Sequence, residues 1–262
     1  MASGTRGTLL LAEERRNRIE EILKIQNRIL VADMAEQMEI SEVTIRKDLE
    51  VLEHRGVLKR VHRGAILVKN PTVIDLALIE KEHIHAREKE RIARKAAELI
   101  RDNEVIILDS GSTTTAIARA LKARQGLTII TNAVNIAWEL TASKNRVILI
   151  GGMVRENSFS LVGPLSEEAL RSLTADKLFL GVDGIHFEFG LTTPNLEEAT
   201  INRMMLRAAT DVFVVADSSK IGRRSLGVIA EIQAAHHLIT DAHITAADQK
   251  KLIDLGVEVI IV

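Results

Sequence analysis

The chain has 262 residues, 46% apolar and 27% charged, with a formal net charge of −1, a profile that fits a soluble globular protein with room for one large domain or two. It has no Cys, which excludes disulfides and thiolate metal sites and fits a reducing cytoplasm. No apolar run approaches the roughly 18 residues of a membrane span, and with no Tyr and only Trp138 a base-stacking surface for single strands is excluded too. Residues 1–10 read as a flexible lead-in, too short and polar for a signal peptide. Charge is spread almost evenly, but Arg55, Lys59, Arg60 and Arg63 fall within one stretch that contains no acid.

The first domain is expected over 11–69. Ile19, Ile22 and Leu23 give a helix over 15–25, and Val31, Met34, Ala35 and Met38 give a short second one. Ser41 is placed to N-cap a third helix over 42–55, with Ile45, Leu49 and Leu52 inward and Gly56 as its stop. The opposite face of its first half shows Val43, Thr44 and Lys47, flanked by Arg46. Segments 57–61 and 65–68 then form a hairpin around His62-Arg63-Gly64, completing a winged helix-turn-helix. A three-helix packing module with solvated basic residues is the plainer alternative; the basic cluster on the wing, where a duplex backbone would pass, speaks against it.

Val43-Thr44-Ile45-Arg46-Lys47-Asp48-Leu49, then Leu52, Gly56 and Arg60-Val61-His62-Arg63-Gly64-Ala65, resemble the N-terminal signature of the DeoR family of bacterial regulators. The family's wing reads His-Gly-Gly, and here Arg63 stands at the first Gly position. Either the turn does not need a positive φ there, or the wing is shaped differently; Arg63 adds a possible phosphate contact. The resemblance implies double-stranded operator DNA as partner, with Ser41, Val43, Thr44, Arg46, Lys47, Lys59, Arg60, His62 and Arg63 at the interface.

Residues 70–86, with Pro71 and no firm period, are expected to be a linker to an α/β domain over 87–262. A helix carrying Ile92, Ala96, Leu99 and Ile100 opens it. Apolar runs at 105–108, 127–130, 147–150, 178–182 and 212–216 alternate with helices at 113–122, 136–142, 166–173 and 197–208. A strand over 237–240, a helix over 246–255 and a strand over 257–262 close the chain. Continuous apolar strands alternating with helices imply βαβ units and a buried parallel sheet. The five apolar runs end respectively in Asp109-Ser110-Gly111-Ser112-Thr113-Thr114, Thr131-Asn132, Gly151-Gly152, Asp183-Gly184 and Asp217-Ser218-Ser219-Lys220. Ligands of open α/β sheets sit beyond such strand ends, and a helix start rich in hydroxyls suits an anion. Alternatively, Ser112 or Thr113 only caps its helix.

These motifs in this order, with Gly163-Pro164 and Thr192-Thr193-Pro194-Asn195-Leu196-Glu197-Glu198-Ala199, resemble the DeoR-type sensor domain. Its Rossmann-like fold is similar to sugar-phosphate isomerases, glucosamine-phosphate deaminases and CoA transferases. The resemblance implies a regulator whose DNA binding responds to a phosphorylated sugar. Lys220, the one cation of the five turns, and Ser112, Thr113 and Thr114 are assigned to the phosphate. Asp109, Ser110, Gly111, Thr131, Asn132, Gly151, Gly152, Asp183, Gly184 and Glu197 are assigned to the rest of the effector site. No cofactor is expected: a P-loop motif and a G-x-G-x-x-G after a strand are both missing, and the eight His lack zinc spacing. A sugar-phosphate isomerase or deaminase with an accessory winged helix is the competing reading, and an α/β half serving only for oligomerisation a third. An enzyme has no use for a recognition helix and basic wing, which favours the regulator, as a homodimer or larger homo-oligomer joined through the α/β domain.

Overall fold

A computed structural model describes residues 12–54, 57–67 and 75–262. The chain divides into two compact units, Met1–Pro71 and Thr72–Val262. The expected lead-in, Gly56 as helix stop, Val68 and Pro71 lie outside the described residues.

The smaller unit contains α1 (Ala12–Gln26), β1 (Arg28–Leu30), α2 (Val31–Gln37), α3 (Glu42–His54), β2 (Leu58–Val61) and β3 (Gly64–Leu67). The apolar positions read from the sequence meet in one core: Ile19, Leu23, Met34, Ile45, Leu49 and Leu52 are all buried. Asp48 on the same helix is buried as well, where Arg15 Nε at 2.5 Å and Arg16 Nε at 3.1 Å meet its carboxylate. That contact ties α1 to α3 and explains an acid on an otherwise apolar face, since a buried charge is tolerated only when paired. The wing has a third strand that the sequence reading missed. β1, short and directly following a helix, pairs antiparallel with β3, giving the order β1-β3-β2. Gly64 permits this, because any Cβ there would run into the Ile29 carbonyl.

The larger unit is built on a seven-stranded parallel sheet of order β15-β14-β12-β9-β4-β5-β6. In chain order it runs α4 (Leu78–His83), α5 (Ala86–Leu99), β4 (Val105–Leu108), α6 (Ser112–Ala120), β5 (Gln125–Thr131), α7 (Val134–Leu140) and β6 (Lys144–Leu149). A hairpin of β7 (Met153–Val154) and β8 (Leu161–Val162), α8 (Pro164–Arg171) and β9 (Ala175–Leu180) follow. Next come β10 (Gly184–His186), β11 (Gly190–Thr193), α9 (Leu196–Ala208), β12 (Ala209–Val215) and β13 (Gly227–Ala230). The last three elements are β14 (His237–Thr240), α10 (Ala246–Asp254) and β15 (Glu258–Ile261). Strands β10, β11 and β13 make a small antiparallel sheet of their own.

Alternate residues of each long strand feed opposite layers. Ile106, Leu108, Ile129, Phe179 and Phe213 pack under α5, α6 and α7. Ile107, Ile130, Leu178, Leu180 and Val214 pack under α8, α9 and α10. The sheet is therefore buried on both faces, as its unbroken apolar runs require.

Residues 75–86 correct the expected linker. Leu78 is buried, α4 lies in the larger unit, and the Leu78 N–H donates to the Asn157 carbonyl at 2.6 Å. At six residues the helix is too short for its period to be read from sequence.

Candidate nucleic-acid interface and effector site

Helix α3, the residue before it and the wing carry the sequence-assigned DNA residues, all on the surface of the smaller unit. Ser41 caps α3: its Oγ accepts the Thr44 N–H at 3.2 Å and lies 2.9 Å from Thr44 Oγ1. That fixes the first turn, where Val43 is 63% exposed, and Arg46 and Lys47 are exposed beside it. A valine so exposed at the start of a helix contributes nothing to the core, and suits contact with a thymine methyl. Arg46 pairs with Glu42 at 2.8 Å, one turn earlier. On the wing, Lys59, Arg60, His62 and Arg63 are exposed. Arg63 has φ +70°, so the turn does require the left-handed region, and Arg occupies a position suited to Gly. Single residues in that region carry a steric cost of roughly 1–2 kcal/mol.

The sheet order brings together several of the residues assigned to the effector. The chain leaves β4 towards β5 and β6, then returns to place β9 on the other side of β4. A crevice opens beyond the carboxyl ends of strands at such a switch point, here at Asp109-Ser110-Gly111 and Gly181-Val182-Asp183. Asp109 is buried and its Oδ2 accepts the Gly181 N–H at 3.2 Å and the Asn202 amide at 3.3 Å. Burial, and the nearby Glu198 charge after it, push its carboxyl well above the usual range. Asp183 goes the other way. Burial alone would raise it, but Lys81 Nζ at 2.8 Å and Lys220 Nζ at 3.9 Å, both on Oδ1, hold it down to about 2. Lys81 is raised because Asp183 outweighs its burial, whereas burial wins at Lys220 and lowers it. Lys89 is buried, donates to the carbonyls of Lys81 and Ile84, and is lowered by burial to about 8.

Lys81 and Lys89 are the functional candidates the sequence reading missed. Lys81 lies in the stretch taken as linker and Lys89 in a charged run that reads as a solvated helix face. Their burial depends on α4 packing on α6 and on α5 packing on α6 and the sheet, which has no local signal. Glu197 needs a correction of the same kind. Its side chain is exposed, and its neighbour Glu198 is buried, with Arg155 Nη1 at 2.6 Å, Ser160 Oγ at 2.9 Å and Thr193 Oγ1 at 3.4 Å. Arg155 also holds Asp75 at 2.6 Å.

The remaining assigned residues divide between open and committed groups. Ser112 and Thr113 sit in the first turn of α6, but the Thr114 hydroxyl donates to the Gly111 carbonyl at 2.9 Å. Thr131 Oγ1 accepts the Ala133 N–H, whereas both side-chain polar atoms of fully buried Asn132 have no protein partner. Buried amides left open in this way are rare and point to a missing partner. The Gly151 carbonyl accepts from Ser166 Oγ while a Cβ on Gly151 would meet open space; a Cβ on Gly152 would collide with that hydroxyl, so Gly152 serves the packing between the β6 end and α8. Gly184 is buried at the start of β10. Among the described residues no group of His and carboxylates is arranged to hold a metal, and no helix is long and apolar enough to cross a membrane.

With this geometry in place, the comparisons with known proteins fall on the same two units. Residues 15–70 match the DeoR-like helix-turn-helix domain, and residues 84–242 match the DeoR C terminal sensor domain. The transcriptional regulator GolR of Listeria innocua is 36% identical over 250 residues, covering 94% of this chain and 97% of its own length. The lactose phosphotransferase system repressor of Lactococcus lactis subsp. lactis is 30% identical over 236 residues, covering 89% and 92%. Among solved structures, the ribose 5-phosphate isomerase A of Methanocaldococcus jannaschii superposes with TM-score 0.39 at 19% identity, over 51% of this chain and 53% of its own. A matched recognition unit, a matched sensor unit and near-full-length relatives of the same kind converge: the chain belongs to the DeoR family of DNA-binding transcriptional regulators.

Proposed function

We propose that this regulator is a repressor of a carbohydrate-utilisation operon, released from double-stranded operator DNA by a phosphorylated sugar bound at the β4/β9 switch point. One observation carries the effector assignment: Lys81 and Lys220 converge on a single oxygen of Asp183, with buried Lys89 coupled to both. Asp183 and buried Asp217, which also faces Lys220 and Lys89, are two carboxylates against three ammonium groups, so the cluster favours an anion. The first turn of α6 supplies N–H donors to that anion. Asp109, Asn132 and Asn202 offer acceptors and donors to sugar hydroxyls. The sensor-domain match and the lactose-system repressor among the relatives support the same reading.

The chain acts in the cytoplasm as a homodimer or larger homo-oligomer, because one winged helix reads few base pairs and a two-fold places two of them roughly 10 bp apart or a multiple of it. It is a sensor and not a catalyst. The raised carboxyl of Asp109 is the one feature that suits an isomerase base, so turnover belongs in the same experiment. A thermal-shift screen pairs phosphorylated sugars with their unphosphorylated parents. The matching phosphate ester at about 100 times its Kd should stabilise the protein by about 2.7 kcal/mol and release it from DNA in a gel shift. Equal response to ester and parent sugar, or measurable isomerisation or deamination, overturns the proposal.

A further inference from the structure

We propose that the effector is a phosphorylated amino sugar whose free ammonium group is received by Asp109, Asn132, Glu198 and Asn202. The inference rests on the sugar-phosphate reading and narrows it to one chemical class. Strand register puts the receiving groups together. Leu108 pairs with Thr131, so Asp109 and Asn132 follow as neighbours beyond the ends of β4 and β5. Ile107 and Ile130 pack under α8, α9 and α10, and alternation turns Asp109 and Asn132 the same way. Asn202 on α9 bears this out for Asp109, donating to its Oδ2 at 3.3 Å. Glu198 lies one turn before Asn202, buried on the same helix. Ser160 Oγ donates to Glu198 Oε1 at 2.9 Å, and the next residue, Leu161, donates its N–H to the Asn132 carbonyl at 2.7 Å.

This pole of the crevice has an excess of acceptors. Asn132 and Asn202 are buried, and neither amide oxygen has a partner in the protein. With the Asp109 carboxylate they make three acceptors, matching the three N–H donors of an ammonium group, where a hydroxyl brings one. Charge points the same way. Arg155 meets Glu198 at 2.6 Å but also holds Asp75 at 2.6 Å, so one guanidinium answers two carboxylates and a negative charge is left over. Burial and the Glu198 charge raise the Asp109 carboxyl; an ammonium beside it stabilises the ionised form. Lys81, Lys89 and Lys220 form the opposite pole. Thr193 lies between the two, its hydroxyl 3.4 Å from Asp183 Oδ2 and 3.4 Å from Glu198 Oε2. A ligand with a phosphate at one end and an ammonium along its chain matches both poles. A hydroxyl in the place of the ammonium leaves the acidic pole uncompensated.

The test titrates the full chain by calorimetry with matched esters. These are glucosamine, galactosamine and mannosamine 6-phosphates, their N-acetyl forms, and glucose, galactose and mannose 6-phosphates. At least one amino ester should bind about tenfold tighter than both its N-acetyl and its hydroxyl counterpart, the excess of a charge-assisted over a neutral contact. Asp109→Asn keeps the shape and removes the charge, so it should bring that preference within about twofold. Amino esters that bind no tighter than their counterparts, or a preference that survives Asp109→Asn, overturn the proposal. Should Asp109→Asn not fold, Asn132→Ala decides, because the Asn132 side chain makes no hydrogen bond within the protein. The preference must then fall severalfold, and an unchanged ratio is the contrary result. Binding of phosphorylated hexoses without an amine preference refutes only this narrowing and leaves the sugar-phosphate reading standing. Silence from every ester removes the effector reading itself, and this inference with it.

Discussion

The two units handle charge in opposite ways. On the smaller one, the basic residues stand in solvent at the tip of a wing and along one helix face, either unpaired or held by exposed carboxylates. In the larger one, Lys81, Lys89, Lys220, Asp109, Asp183 and Glu198 are gathered at the strand ends, buried or nearly so, and each shifts or answers the charge of another. Exposed charges are screened, act nearly independently and are worth little singly. Buried charges are coupled, so changing one re-sets its neighbours. A polyanion that is read by summed contacts suits the first arrangement; a small dianion that must trip a switch suits the second.

The contrast can be broken most sharply at Lys220. Lys220→Ala removes a charge-assisted contact worth roughly 1.5–3 kcal/mol, so affinity for the sugar phosphate should drop about 10–150-fold by calorimetry while operator affinity holds. Unchanged effector affinity would falsify the assignment. The acid limb of stability tests the same cluster next. A carboxyl held at about 2 instead of 3.8 stabilises the fold above its unfolded value, and that contribution, about 2 kcal/mol, disappears as pH falls from about 4 towards 2. In urea titrations the gap between the unsubstituted protein and Asp183→Asn should close over that window; a constant gap means the ion pair is not the cause.

Arg63→Gly probes the exposed side at smaller magnitude. Relief of the positive φ should add about 1 kcal/mol of stability, while loss of one cation weakens all duplexes alike and flattens the salt slope by about 0.9. A drop in Tm, or a loss confined to the operator, contradicts this reading. Glu197→Ala should be nearly silent, within about 0.5 kcal/mol in stability and without effect on effector binding. Its buried neighbour in Glu198→Ala should impair both, and reversal of that order would reinstate Glu197.

Much of this was legible along the chain. Helix α3 was placed within a residue, Ser41 was recognised as its cap, and the runs at 105–108 and 237–240 are strands at those residues. Periodicity and capping are local, so sequence carries them. The exposure of the residues assigned to DNA was legible for a related reason: polar residues on a helix face and a turn keep their positions whatever the rest of the fold does. The short elements were not legible. β1, β7, β8 and β10 hold three residues or fewer and are stabilised by partners elsewhere in the chain.

What the sequence determined by itself is therefore the pair of units, the winged helix, the α/β alternation and the strand-end loops, because each follows from spacing within a dozen residues. Only the tertiary structure decided which charges share a crevice. The sheet order brings β9 beside β4 and so sets Asp183 near Asp109; α4 folds back to deliver Lys81 to Asp183 across about a hundred residues of chain; the rotation of α9 buries Glu198 and leaves Glu197 in water. Each of these is a contact between segments remote in sequence, and burial and Coulomb coupling depend on distance in space, which no local pattern encodes.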